Sequence, residues 1–202
     1  LALIDRYQAS FMHMAQIADI NYEAISVGGP LSRLSGWGAS INYLWQPPFD
    51  STQNSFGAPT QAAGTGYDLA VGLSYGYNFG NFRTTDFNIS NIALGVTCKL
   101  IQRSLSDHTA NAFYGDLGLM AEVLQGVKVA LVLQNFGTTL TFINVADSAP
   151  FNSKLGLAWD YNINDANRLV LAYDLNHPID ISNTDYVAWR QNLGAEYWLF
   201  NT

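Results

Sequence analysis

The sequence predicts an all-β chain folded as an antiparallel transmembrane β-barrel, and three observations predict it. Side chains alternate with period two over most of the length. The second face of that alternation is small and polar rather than charged. Short connections alternate with longer ones. Of 202 residues, 49% are hydrophobic and only 12% charged, whereas soluble domains carry about one-quarter charged residues. Such apolar content excludes intrinsic disorder. The formal net charge of −7 speaks against nucleic acid as a partner, because phosphates are repelled. A single cysteine excludes an internal disulfide framework and a multi-cysteine zinc site. Helical spans are excluded too, since crossing a bilayer takes about 20 apolar residues. The densest apolar run here, 129–133, stops at Gln134 and Asn135.

The strands follow in order. Two weaker runs lie at about 7–14 and 19–27. From 35 to 45, Ser35, Trp37, Ala39, Ile41, Tyr43 and Trp45 oppose Gly36, Gly38, Ser40, Asn42 and Leu44. From 67 to 80, Tyr67, Leu69, Val71, Leu73, Tyr75, Tyr77 and Phe79 oppose Asp68, Ala70, Gly72, Ser74, Gly76, Asn78 and Gly80. A helix would scatter these residues, whereas a strand sorts them onto two faces. The same sorting recurs over 92–100, 113–119, 127–134, 151–161, 168–176 and 187–199. That makes roughly ten strands of about 9–13 residues, near the length of a tilted membrane strand. Connections 28–34, 122–126 and 162–167 are short. Connections 46–66, 104–111, 136–149 and 177–185 are longer and more polar, and 79–90 breaks the rule. No linker divides residues 1–202, so a single domain is expected.

Alternation alone also fits a soluble β-sandwich or a lipocalin-like barrel. The contents of the two faces decide between them. A soluble barrel wets its outside with charge, but here the second face is mainly Gly, Ala, Ser, Asn and Thr, which suits a crowded lumen. Aromatics on the bulky face gather near strand ends (Trp37, Trp45, Tyr67, Tyr77, Trp159, Tyr161, Trp189, Tyr197) with aliphatics between them, as in interfacial girdles. Trp37, Ile41, Tyr43, Leu69, Leu73, Val129, Leu157 and Leu171 are therefore expected to face lipid. Gly38, Asn42, Ser74, Asp116, Lys154 and Asp174 are expected to face the lumen.

Several segments resemble a known family: YDLAVGLSYGYNF at 67–79, IALGVTCKLI at 92–101, YGDLGLM at 114–120, VKVALVLQNFG at 127–137, FNSKLGLAWDY at 151–161 and LGAEYWL at 193–199. Their succession resembles the FadL/TodX-type outer-membrane β-barrel proteins, especially the PorV/PorQ-like branch of Bacteroidetes and related phyla. The resemblance covers about residues 8–200. Its most specific pieces are the D-x-G-L strand, the Q-N-x-G strand end and the final G-A-E-Y. It implies a Gram-negative outer-membrane barrel of about fourteen strands with an N-terminal hatch in the lumen. Ten strands with two open edges would leave edge amides unpaired in lipid. The chain also opens in mid-pattern at Leu1-Ala2-Leu3-Ile4. It is therefore expected to be incomplete at both ends.

Chemistry-bearing residues are few. His13, His108 and His177 lie on separate segments with no metal-ligand spacing. Asp160, Asn162, Asn164 and Asp165 begin like a calcium loop. Position six, however, is Asp165 rather than Gly and position twelve is Leu171 rather than Glu, so a polar hairpin turn is expected. Cys98 falls on the bulky face and reads as a small hydrophobe. No nucleophile elbow, phosphate loop or dinucleotide fingerprint occurs. No enzyme activity, metal or cofactor is expected.

The charges on the small face are Asp68, Lys99, Asp116, Lys128, Lys154, Asp174, Arg190 and Glu196. Facing a lumen, they must pair or stay hydrated, and their balance suggests a ladder of pairs. They serve either as struts or as the lining of a route.

Two functions follow from the resemblance. One is passive transport of hydrophobic small molecules across the outer membrane. The other is a docking or structural role, binding secreted proteins or a membrane assembly through extracellular loops. Loop 46–66, with Trp45, Pro47, Pro48, Phe49 and Phe56 in or beside it, offers apolar groups suited to a protein partner.

Overall fold

The computed structural model describes residues 1–49, 64–83, 88–106, 108–142, 145–179 and 189–199. These residues form thirteen β-strands and no α-helix. The strands are β1 Gln8–Ala15, β2 Asn21–Ser32, β3 Ser35–Phe49, β4 Gly64–Asn78, β5 Phe82–Arg83, β6 Asn88–Leu105, β7 His108–Leu124, β8 Val127–Gly137, β9 Leu140–Phe142, β10 Val145–Asp147, β11 Asn152–Asn164, β12 Asn167–Pro178 and β13 Arg190–Leu199. A single 3₁₀ turn, Ile17–Asp19, joins β1 to β2.

The main sheet runs β1-β2-β3-β4-β6-β7-β8-β11-β12-β13, each strand antiparallel to its neighbours. Two-residue β5 pairs with β6, and β9 with β10 forms a separate hairpin. Among the described residues β1 and β13 do not pair with each other, so the sheet is open at both edges.

Several strands run further than the alternation suggested. β6 and β7 extend to Leu105 and His108, leaving a two-residue turn where a connection at 104–111 was expected. The polar residues there belong to the ladder: Ser104 pairs with Thr109, and the Thr109 hydroxyl donates to Ser104 Oγ at 3.3 Å. Ser106 supplies the left-handed turn, at φ 53°.

The partner-loop assignment also needs correction. Pro47, Pro48 and Phe49 lie within β3, not in a loop, and Trp45 is in the same strand, as the alternation had it. The ladder slips between Gln46↔Gly66 and Phe49↔Gly64, where the two prolines, lacking an N–H, form the irregular step. Phe56 lies outside the described residues, as do 50–63 and 180–188. Within connection 136–149, Leu140 folds back to pack on Ala110, Ala112 and Tyr114.

Burial is the reverse of a soluble sandwich. Among the described residues no large side chain is fully buried, and the buried apolar residues are Ala93, Ala110, Ala112, Tyr114, Leu140 and Ala149. The bulky face is open instead: Ile41, Leu73, Leu157 and Leu171 are exposed, Leu73 by 64%. Trp37, Tyr43, Leu69 and Val129 on that face are shielded in part, while Gly38, at the opposite face, is buried. Asn42, Ser74, Asp116 and Lys154 are partly buried, and Asp174 is exposed. The accessible surface, 14027 Å² for 22.2 kDa, is about one and a half times the roughly 9,400 Å² of a compact chain. Among the described residues one sheet stands without a second layer, which leaves its apolar face uncovered.

Candidate ligand site

The small face is built on a row of glycines. Register places Gly36 opposite Gly76, Gly76 opposite Gly95, and Gly95 opposite Gly118, across β3, β4, β6 and β7. Bare backbone along this row makes a trough. Residues 1–4 fill one end of it, turned by the Ile4 N–H to Leu1 carbonyl bond at 3.0 Å. A Cβ at Gly76 would meet the Ala2 nitrogen at 2.6 Å, and one at Gly36 would collide with Leu1 and Ile4. Gly95 and Gly118 stay open, with nothing nearer than 3.8 Å to a built Cβ. They floor a cavity of about 450 Å³ walled by Leu1, Leu3, Met120 and Val132.

A polar strut closes the other end of the trough. Lys99 Nζ lies 2.7 Å from Asp116 Oδ1, with both side chains largely buried. Asn135 completes the strut from a left-handed backbone at φ 60°. Its N–H donates to Asp116 Oδ1 at 2.8 Å, its Oδ1 accepts from Lys99, and its Nδ2 donates to the Pro150 carbonyl at 3.1 Å. The ladder between β7 and β8 slips at this point, between Gly115 and Leu117. The sequence pieces D-x-G-L and Q-N-x-G are therefore two halves of one device. Gly115 is needed because the Phe136 ring lies over it, and a Cβ at Gly137 would collide with the Phe113 carbonyl.

Beyond the strut lies a second cavity of about 540 Å³. Arg103 reaches across β4 and β6 to donate twice to Asp68, at 2.7 and 2.9 Å. Tyr22 donates to Asn42 Oδ1 at 2.9 Å. Leu140, Ser148 and Pro150 roof this chamber.

A third polar group sits at the short-turn end. Arg168 donates to both oxygens of Asp160, at 2.6 and 2.5 Å, and Lys128 stands 3.7 Å away. Glu122 accepts from the Gly126 N–H at 2.9 Å and from Asn91 at 3.1 Å.

The expected charges thus divide. Asp68, Lys99, Asp116 and Lys128 enter ion pairs. Lys154, Asp174, Arg190 and Glu196 make none among the described residues, although Glu196 accepts from Trp198 Nε1 at 3.3 Å. Arg103, Asn135, Asp160 and Arg168 complete the paired groups and were not among the sequence candidates. The signal for Arg103 and Arg168 was parity, since each continues the small-face positions of its strand. Asp160 is not a turn residue: β11 continues to Asn164, and its carboxylate is held by Arg168 and Lys128. The histidines stay apart. His13 pairs with Glu23 at 2.7 Å, His108 opens β7, and His177 stacks on Trp189 with ring centres 4.2 Å apart.

Chemically, the strut's charges are paired with each other, and the trough offers bare backbone and mainly apolar side chains, with Ser74, Thr97 and Gln134 at its margin. Such a site holds a ligand by shape and burial. No family model matches the sequence, and no curated protein is significantly similar to it.

Proposed function

We propose that this chain forms the wall of a FadL-like outer-membrane β-barrel that passes hydrophobic small molecules, its bulky face toward lipid and its small face toward the lumen. The observation that carries this reading is the reversed burial: large apolar side chains stand exposed on one face while glycines, alanines and ion pairs occupy the other. Aromatic pairs mark both ends of the apolar band. Tyr43 and Tyr67 meet at 5.9 Å near the long connections, while Tyr77 with Phe79 and Trp159 with Tyr161 meet at 5.0 and 5.1 Å near the tight turns. From Tyr67 to Tyr77 is about 33 Å of strand, or about 25 Å of membrane depth at a tilt near 40°. Within the lumen, the apolar trough and its polar strut argue against a wide aqueous pore.

Three measurements test this reading. Tryptophan fluorescence of the full-length protein should be quenched by lipids brominated along the acyl chain, and absent quenching rejects the lipid-facing face. Cells displaying the protein in a Gram-negative outer membrane should take up the apolar fluorophore N-phenyl-1-naphthylamine faster than vector-only cells. Large, steady ion conductance in planar bilayers would reject the plugged lumen.

The docking role keeps one observation in its favour. Trp45 and Pro48 stand exposed at the long-connection end of β3, beside the proline irregularity. A stable copurifying protein lost on Trp45→Ser, together with no fluorophore entry, would replace transport by docking.

A further inference from the structure

We infer that β9 and β10, with Thr138 and Ala149–Pro150 flanking them, form a hinged flap whose movement opens the trough to the second cavity, an inference that rests on the lumen reading above. Among the described residues, β9 and β10 hydrogen-bond as a ladder only to each other. The wall holds the hairpin at its feet. At one foot, Thr138 N–H donates to the Phe113 carbonyl at 3.0 Å, and Thr138 Oγ1 accepts from the Phe113 N–H at 2.9 Å. At the other, the Pro150 carbonyl accepts from Asn135 Nδ2 at 3.1 Å.

Between the feet the seat is apolar and smooth. Leu140, 4% exposed, rests on Ala110, Ala112 and Tyr114, with Ala149 beside it. Methyl groups offer neither ladder bonds nor deep pockets, so lifting the hairpin breaks no backbone bond between seat and flap. The flap bounds the 540 Å³ chamber through Leu140, Ser148 and Pro150. Its second foot is tied to Asn135, which also holds both members of the Lys99–Asp116 pair. Moving Pro150 away removes one of the three hydrogen bonds that fix Asn135, and so one restraint on the side chain that braces Lys99 in the strut between the chamber and the glycine trough. One motion thus removes the roof and loosens the partition.

Full-length protein displayed on cells provides the test. In a Cys98→Ser background, Ala112→Cys places a thiol under Leu140, and a membrane-impermeant maleimide reads how often the seat opens. Adding Leu140→Ala removes most of the seated side chain, and the labelling rate should rise at least about tenfold. Thr138→Val, which keeps Leu140 and removes one foot bond, should raise it by a smaller factor. Entry of N-phenyl-1-naphthylamine should rise in the same order. Labelling unchanged in both variants overturns the flap. Faster labelling with unchanged fluorophore entry, where the parent protein still exceeds vector-only cells, overturns its gating role alone. Entry no faster than vector in every variant overturns the transport reading and the gate with it.

Discussion

The strands from β2 to β8 and those from β11 to β13 share one sheet and one alternation, yet they treat their small faces differently. In the first region glycines line up across strands, and polar groups inward of them find partners: Lys99 with Asp116 and Asn135, Arg103 with Asp68, Ser74 with Thr97 at 2.8 Å. A folded-back connection covers Ala110 and Ala112. The second region has charges in place of the glycine row. Lys154 and Asp174 make no ion pair there, and the buried Oδ1 atoms of Asn152 and Asn176 lack a hydrogen-bond partner among the described residues. β13 is exposed along its whole length. Matching in the second region is confined to its short-turn end, where Asp160 is held by Arg168 and Lys128. Further along the same strands Asn152 and Asn176 keep buried Oδ1 atoms without a partner among the described residues, a cost the first region avoids at Lys99, Asp116 and Asn135.

Substitutions put that contrast to the test. The largest effect is expected at Gly137. Gly137→Ala drives a methyl into the Phe113 carbonyl and should destabilise by more than about 3 kcal/mol, enough to prevent refolding in detergent. Gly118→Ala in the open row should lie within about 1 kcal/mol by urea unfolding, because its Cβ meets nothing nearer than 3.8 Å. Gly118→Leu should fill the trough and slow fluorophore entry. Equal losses at positions 137 and 118 would sink the distinction between glycines that permit a close approach and glycines that keep space.

Next comes the contrast between faces on a single strand. Leu157→Arg should cost about 2–4 kcal/mol in bilayers, the penalty for a cation near the lipid midplane. Lys154→Leu, three residues earlier on the small face, should change stability by less than about 0.5 kcal/mol, since Lys154 makes no ion pair among the described residues. Near-neutral Leu157→Arg would show that lipid does not cover the bulky face.

The ion pairs rank below that. Lys99→Met strands a largely buried carboxylate and should cost about 2 kcal/mol, moderated by the Asn135 N–H that Asp116 retains. Arg103→Gln should cost about 0.5 kcal/mol and less in high salt, because Arg103 and Asp68 remain 49% and 37% exposed. A reversed order would mean that Arg103, not Lys99, anchors the partition.

Period-two alternation was enough to separate the faces, because each Cβ in a strand points opposite to its neighbour whatever lies nearby. Ile41, Leu73, Leu157 and Leu171 could be assigned from parity alone, and so could Gly38 and Asp116. Strand ends were harder. Ser, Thr and His at 104–109 read as loop because polar residues usually do, yet a tight hairpin pairs them across its own ladder. Pro47 and Pro48 read as loop because they break ladders, but the sheet absorbed them as an irregular step near the end of β3.

The composition and periodicity of the chain by themselves determined an antiparallel all-β sheet with one bulky and one small face, since both properties are local to each strand. Tertiary structure alone decided which side chains meet across strands. Asp116 and Asn135 are nineteen residues apart and look unrelated in sequence, but the slipped register at Gly115 and the left-handed turn at Asn135 bring carboxylate and amide to 2.8 Å. The inward fold of the β8–β11 connection was equally unreadable. It depends on a seat that Ala110, Ala112 and Tyr114 of β7 make with Ile101 of β6 packed beside them, and a polar connection carries no periodic mark of the surface it will cover.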